Sequence, residues 1–296
     1  MHKVRTRKIE NREPRIENWE QNREPRSESW DRRVRIEIEN RELTYGRILR
    51  VVVLLTTVVS LLEGNSMAES LAAYTIHRAG TPIVIDGRLD EPAWVGAPDV
   101  GAFVFPWYES GKKEQTVAKL LWDDENLYAA FICEDAHIYA DHTERDSAVW
   151  EDDTVEVFTA PDPDRPQMYF NIEMNVLGIF LDQFHPEGPG MPVPGEWDGE
   201  GIQISTAIVG TLNNDRDEDA YWILEVALPF RNFKDVAKHT PPEPGDEWRL
   251  GLNRLGGKTN PQYSQWSPSQ TDHPQFHSPD DFGRVTFSDA VSPFHR

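Results

Sequence analysis

The sequence predicts an all-β chain, an antiparallel β-sandwich of about 10 to 12 strands with one or two short helices. Two observations predict it. From Tyr74 onward the apolar runs are short, β-branched or aromatic, and separated by turn residues. No helical pattern long enough to carry a parallel crossover lies between them.

In chain order the expected strands are residues 82–85, 101–105, 116–122, 127–134, 154–160, 168–175, 178–184, 202–209, 221–228, 247–255 and 284–287. Helix is expected only as single turns, at 91–94 after Asp90 and at 229–236, each opened by a proline whose fixed φ and missing N–H suit that position. Asp123-Asp124-Glu125-Asn126 joins two apolar runs as an acidic tight loop, and Val176-Leu177-Gly178 joins another pair. Asp215, Asp217 and Asp219 alternate like the start of an EF-hand. Its sixth position is Ala220 in place of glycine and its twelfth is Val226 in place of glutamate, so the segment reads as a solvated hairpin tip.

Within residues 154–158, Val155 and Val157 share one face of an extended segment, which puts Thr154, Glu156 and Phe158 on the other. A lone carboxylate between large apolar neighbours needs a partner. A ligand hydroxyl, a loop amide or an arginine would each serve.

The two ends of the chain differ. Residues 1–46 are dominated by Arg, Glu and Asn, repeat Asn-Arg-Glu-Pro-Arg at 11–15 and 22–26, and lack the aliphatic density of a core, so disorder is expected. No methionine follows Met1 until Met67, which also fits a start placed too early. Residues 47–68 have signal-peptide anatomy: Arg47 and Arg50, an apolar run over 51–62 too short to span a bilayer, and Ser66-Met67-Ala68 before Glu69. Residues 69–296 are then the exported sandwich, secreted, periplasmic or at the cell surface, with no transmembrane span after signal removal. That part carries 16 basic and 40 acidic residues, a net of −24. Such a field repels nucleic acid and anionic membranes and favours neutral or cationic ligands and divalent ions. Cys133 is the one cysteine, so no intrachain disulfide can form; its apolar neighbours make it a buried small hydrophobe.

Of the ten tryptophans, Trp94, Trp122, Trp222 and Trp248 sit in or beside apolar strand patterns and read as core. Trp107, Trp150, Trp197 and Trp266 have polar, Pro or Gly neighbours and are open to loop packing or ligand contact. His273 and His277 flank Pro274-Gln275-Phe276 close to Trp266. Glu134, Asp135, Asp141, Glu144, Asp146 and Asp152 crowd one region, and Asp135, Asp141 and Asp152 are the candidate ligands for a structural calcium, which prefers hard oxygen donors.

With these residues in view the chain resembles the family 9 carbohydrate-binding modules and their family-9-like relatives, over about residues 74–288. The resemblance rests on Ile85-Asp86-Gly87-Arg88-Leu89-Asp90-Glu91-Pro92-Ala93-Trp94, on Leu121-Trp122-Asp123-Asp124-Glu125-Asn126-Leu127-Tyr128, and on the stretch from Trp150 to Phe158. Later come Trp222-Ile223-Leu224-Glu225-Val226-Ala227-Leu228-Pro229-Phe230, Trp266-Ser267-Pro268 and Phe282-Gly283-Arg284-Val285. It implies a β-sandwich without catalysis or a required cofactor, which stacks an oligo- or polysaccharide between Trp150 and Trp266. Glu156, Asn171 and Glu173 then meet its hydroxyls. Asn171 and Glu173 stand where the family's binders carry an arginine and an asparagine, which leaves the sugar open.

Two other readings remain. Related sandwiches host haem, with Met168, Met174, His185 and Met191 as the candidate axial ligands here, and a degenerate sandwich can serve protein contacts. A hydrolytic enzyme is a further reading, since paired carboxylates are plentiful, but the 40 acidic residues of the exported part single out no acid–base pair, and Gly-x-Ser-x-Gly, His-Glu-x-x-His and phosphate-loop motifs are missing from the sequence.

Overall fold

A computed structural model describes residues 71–292, apart from 191–196 and 259. The expected leader (1–46), the signal-like segment (47–68) and Met191 lie outside the described residues. The strands belong to a compact unit, Met67–Arg296. Among the described residues no helix is long and apolar enough to cross a membrane.

The architecture is all-β. The strands are β1 (Ala73–Arg78), β2 (Thr116–Trp122), β3 (Asn126–Glu134), β4 (Asp153–Ala160), β5 (Tyr169–Asn175) and β6 (Phe180–His185). They continue with β7 (Gln203–Val209), β8 (Tyr221–Pro229), β9 (Glu247–Gly256), β10 (Tyr263–Gln265) and β11 (Gly283–Val291). Helix is confined to α1 (Pro92–Gly96) and three short 3-10 turns. The strand order is β6-β5-β4-β9-β11-β1-β2-β3-β8-β7, with β10 added beside β9. Pairing is antiparallel except at β1, which runs parallel to both β11 and β2 and so joins two halves of one curled sheet.

The halves close on a common core. Val155 and Val157 of β4, Ile172 and Met174 of β5, and Leu250 and Leu252 of β9 pack with Leu120 and Trp122 of β2, Ala129 and Phe131 of β3, and Trp222 and Leu224 of β8. Trp94, Trp122, Trp222 and Trp248 are all buried, as their sequence neighbours predict, and Cys133 is buried with its thiol pushed up to about 12 by desolvation. The acidic β2–β3 loop is held by Asp123, whose Oδ1 accepts the N–H groups of Glu125 and Asn126.

The outer face of β8 explains another sequence element. Glu225 is fully buried; its Oε1 accepts the Trp94 indole N–H (2.7 Å) and its Oε2 accepts the N–H groups of Asp86 and Gly87 (3.1 and 3.2 Å). The Asp86–Trp94 motif is therefore a cover fastened to β8. Gly87, with φ +79°, lies where a Cβ would come within 2.9 Å of the Thr206 backbone.

Two expected strands are corrected. Residues 82–85 form no strand, and Val84 is 59% exposed. Residues 101–105 contribute a single bridge, Val104 to Gln265. The expected turn at 229–236 is a 3-10 turn over Phe230–Phe233.

Candidate functional site

The β4 alternation expected from sequence holds in space. Val155 and Val157 face the core, so Glu156 emerges on the opposite face of the β6-β5-β4-β9-β10 half. Its neighbours there follow from register: Glu173 of β5 lies directly opposite on one side and Asn253 of β9 on the other. Extending the row outward adds Leu181 of β6 beyond Glu173 and Gln265 of β10 beyond Asn253. A row of polar side chains, ending at Leu181, thus crosses the half-sheet, each step about 4.8 Å.

All of these polar groups are shielded from bulk water: Glu156 is 3% exposed and Glu173 4%. Glu156 Oε2 accepts from Asn253 Nδ2 at 3.1 Å, and Glu173 Oε1 accepts from Asn171 Nδ2 at 2.8 Å. Asn171 Oδ1 in turn meets His185 Nε2 at 2.9 Å, and because Asn171 already uses its amide N–H toward Glu173, His185 donates this bond. His185 stacks on Tyr169, with centroids 4.3 Å apart, and Tyr169 Oη meets His277 Nδ1 at 2.8 Å.

Two buried atoms in the row find no hydrogen-bond partner among the described residues, Glu173 Oε2 and Gln265 Nε2. Buried polar groups are seldom left so, and here one is an acceptor and one a donor. Burial also sets the charge state. Desolvation, then the facing Glu173 carboxylate, hold Glu156 well above the usual carboxylate range, against the Asn253 bond that pulls it down. Desolvation raises Glu173 to about 7. His185 and His277 are both lowered to about 4, mainly by desolvation.

Trp150 sits in the 3-10 turn Val149–Glu151 that leads into β4 and is 45% exposed. Thr154, on the Glu156 face, bonds through its hydroxyl to the Val149 carbonyl and fixes that turn at the strand end. Thr154 pairs with Leu255, and Leu255 pairs with Tyr263, so the 37% exposed Tyr263 rises from the same face at the same end. Trp107 and Phe276 pack edge-on against Tyr263 from the side.

The clamp expected from Trp150 and Trp266 is corrected. Gln265 shares the Glu156 face, so Trp266, one residue on, turns to the core side, where it is 5% exposed and donates its indole N–H to the Val100 carbonyl at 2.8 Å. Neither face of that indole is open to a ligand. Tyr263, Asn253 and Gln265 were missed by sequence reasoning. Asn253 was legible as the polar residue beside the core-facing Leu250 and Leu252 pattern of β9; Tyr263 and Gln265 belong to a strand of three residues, too short for alternation to register.

The expected metal ligands do not converge. Asp135 is paired with Arg254 at 2.8 Å and accepts the Trp222 indole N–H. Asp152 is consumed by the N–H groups of Asp141 and His142 and by Asn175 Nδ2, whereas Asp141 points to Tyr139 and Lys258 on the surface. Asp146, Asp182 and Asp198 do gather, around Arg145, whose guanidinium reaches Asp182 at 2.5 Å and Asp198 at 3.0 Å. Of the candidate haem ligands among the described residues, Met174 lies in the core and His185 on the other face of the same half-sheet, so these two do not face one another. Met168 lies beside Arg165, with its sulfur 3.2 Å from Nη1. His273 is exposed against Asp272, and Trp107 and Trp197 pack in loops, the first donating to the Thr271 carbonyl and the second resting on Phe170.

The profile of carbohydrate-binding family 9 matches residues 102–287. Among solved structures, a candidate carbohydrate-binding protein from Bacteroides uniformis ATCC 8492 is similar at 20% identity and a TM-score of 0.63, covering 74% of this chain and 100% of that one. A family 9 module from Caldicellulosiruptor kristjanssonii, solved with cellotriose, is similar at 16% identity and a TM-score of 0.52, covering 76% and 100%. At these identities the likeness is one of fold. No curated protein matches the chain.

Proposed function

The chain belongs to carbohydrate-binding family 9, and from that premise we propose that its sandwich is a non-catalytic module that binds an oligo- or polysaccharide on the Glu156 face. In this reading Trp150 and Tyr263 are the aromatic platforms. An exposed indole or phenol offers a flat apolar surface to the axial hydrogens of a pyranose at little entropic cost. The polar row reads hydroxyls between them: Glu156 and Glu173 accept, while Asn171, Asn253 and Gln265 orient or donate. No cofactor is needed for such recognition.

The observation that carries the reading is a pair of buried atoms without a hydrogen-bond partner among the described residues, Glu173 Oε2 and Gln265 Nε2, in a row crossing the strand that the turn of the exposed Trp150 leads into. A hydroxyl both donates and accepts, so one saccharide can satisfy both kinds of orphan. The cellotriose complex of the Caldicellulosiruptor module makes β-glucans the first ligands to try.

The test is tryptophan fluorescence and calorimetry of the full chain against neutral and amino oligosaccharides of glucose, xylose, mannose and galactose. Saturable binding is expected, weakened at least about tenfold, or 1.4 kcal/mol, in Trp150→Ala. A folded protein that binds none of the panel, or a Trp150→Ala variant that binds equally well, would sink the proposal.

A further inference from the structure

The Glu156–Glu173 pair is costly for a site that meets only neutral sugars. The two carboxylates face each other across the β4–β5 ladder, both are more than nine-tenths buried, and Glu173 Oε2 has no hydrogen-bond partner among the described residues. What surrounds them is neutral. Glu156 meets the amide of Asn253, and Glu173 meets that of Asn171, whose oxygen is occupied by His185. Among the described residues no lysine, arginine or histidine forms an ion pair with either carboxylate, in contrast to Asp135, which Arg254 neutralises, and Asp182, which Arg145 reaches.

Facing carboxylates in a shielded site are stable only if they hold a proton between them or receive a cation. Resting on the saccharide reading above, we propose that the module selects an amino-bearing saccharide, whose protonated amine bridges Glu156 and Glu173 while its ring stacks at Trp150. An ammonium group carries three N–H donors and no acceptor. It therefore matches an orphan carboxylate oxygen better than a hydroxyl does, and its charge replaces the proton the pair would otherwise keep. The displaced proton leaves to solvent, so charge is conserved on binding. The strongly acidic surface, with 51 acidic against 30 basic residues in the whole chain, draws such ligands in from a distance.

The experiment is calorimetric titration of the full chain with three trisaccharides of like geometry: glucosamine trimer, its fully N-acetylated form, and cellotriose. The amine form is expected to bind at least tenfold more tightly than the other two, and in Glu173→Gln the three are expected to bind within about twofold of one another. Cellotriose binding as tightly as the amine overturns this inference and leaves the saccharide reading standing. An amine preference that survives Glu173→Gln also overturns it, since attraction then comes from the acidic surface at large. Silence toward all three overturns this inference, and silence across the wider panel also removes the saccharide reading. The N-acetyl comparison is made on the wild type and so holds even if the variant folds poorly.

Discussion

Beside Gly283, a Cβ would come within 2.4 Å of the Trp266 ring, and the indole N–H is already committed to Val100. That tryptophan is a packing residue, whereas Trp150 rests on a surface turn. The two substitutions should therefore separate cleanly in urea unfolding. Trp266→Ala is expected to lower stability by about 3–5 kcal/mol through the cavity it opens. Trp150→Ala is expected to stay within about 0.5 kcal/mol of wild type, as surface changes do. Comparable losses in both would contradict this assignment. Alternation along β4 made Glu156 legible because Val155 and Val157 bracket it with the same parity in sequence and in space. Trp266 was read from its neighbours instead, and Gln265, Ser267 and Pro268 look solvated in sequence although Gln265 and Ser267 are buried.

At the scale of elements, strands β2, β3, β4, β5, β8 and β9 were readable because each carries an apolar face wide enough to show. β1 was not, since Ala73–Arg78 has a single buried apolar residue, Ile76, and is held by parallel backbone pairing on both sides. Residues 82–85 misled for the opposite reason: Ile83, Val84 and Ile85 are apolar but belong to the segment leading into the cover over β8. Glu225 is the chief fastening of that cover to β8, beside Lys119 of β2, whose ammonium donates to the Trp94 carbonyl at 3.1 Å. Glu225 takes three donors, from Trp94, Asp86 and Gly87, and burial raises its carboxyl to about 7 even so. Removing it strands all three, and each buried orphan costs about 1–3 kcal/mol. Glu225→Ala is expected to lose at least about 3 kcal/mol in urea unfolding, with faster hydrogen exchange over residues 83–94, while Glu225→Gln, which keeps one acceptor, should lose less. An unchanged exchange pattern in Glu225→Ala would show that the cover is held by other contacts.

For the whole molecule, the buried acids and histidines combine into one pH profile. Glu173 and Glu225 titrate near 7 when folded against 4.5 for the free side chain, so their contribution is complete below about pH 4.5 and is lost as pH rises through 7. His185 and His277 titrate near 4 when folded against 6.5, so theirs is complete above about pH 6.5 and is lost as pH falls through 4. Between roughly pH 4.5 and 6.5 the unfolded chain holds protons on these two histidines where the folded chain holds them on these two glutamates, so the slopes of these four groups cancel. Glu156 and Asp153, also raised mainly by desolvation, keep their protons in the folded chain over the same interval, so the melting temperature is expected to fall as pH rises from about 4.5 through 7, while the histidines produce the loss as pH falls toward 4. Differential scanning calorimetry from about pH 3.5 to 8.5 gives the profile directly, and Glu173→Gln should flatten its alkaline limb while leaving the acid limb in place. An alkaline limb unmoved by that substitution would mean that Glu173 is already ionised or hydrated in the folded state. The facing carboxylates could then persist without a shared proton or a cation, and the electrostatic case for an amino sugar would fall with them.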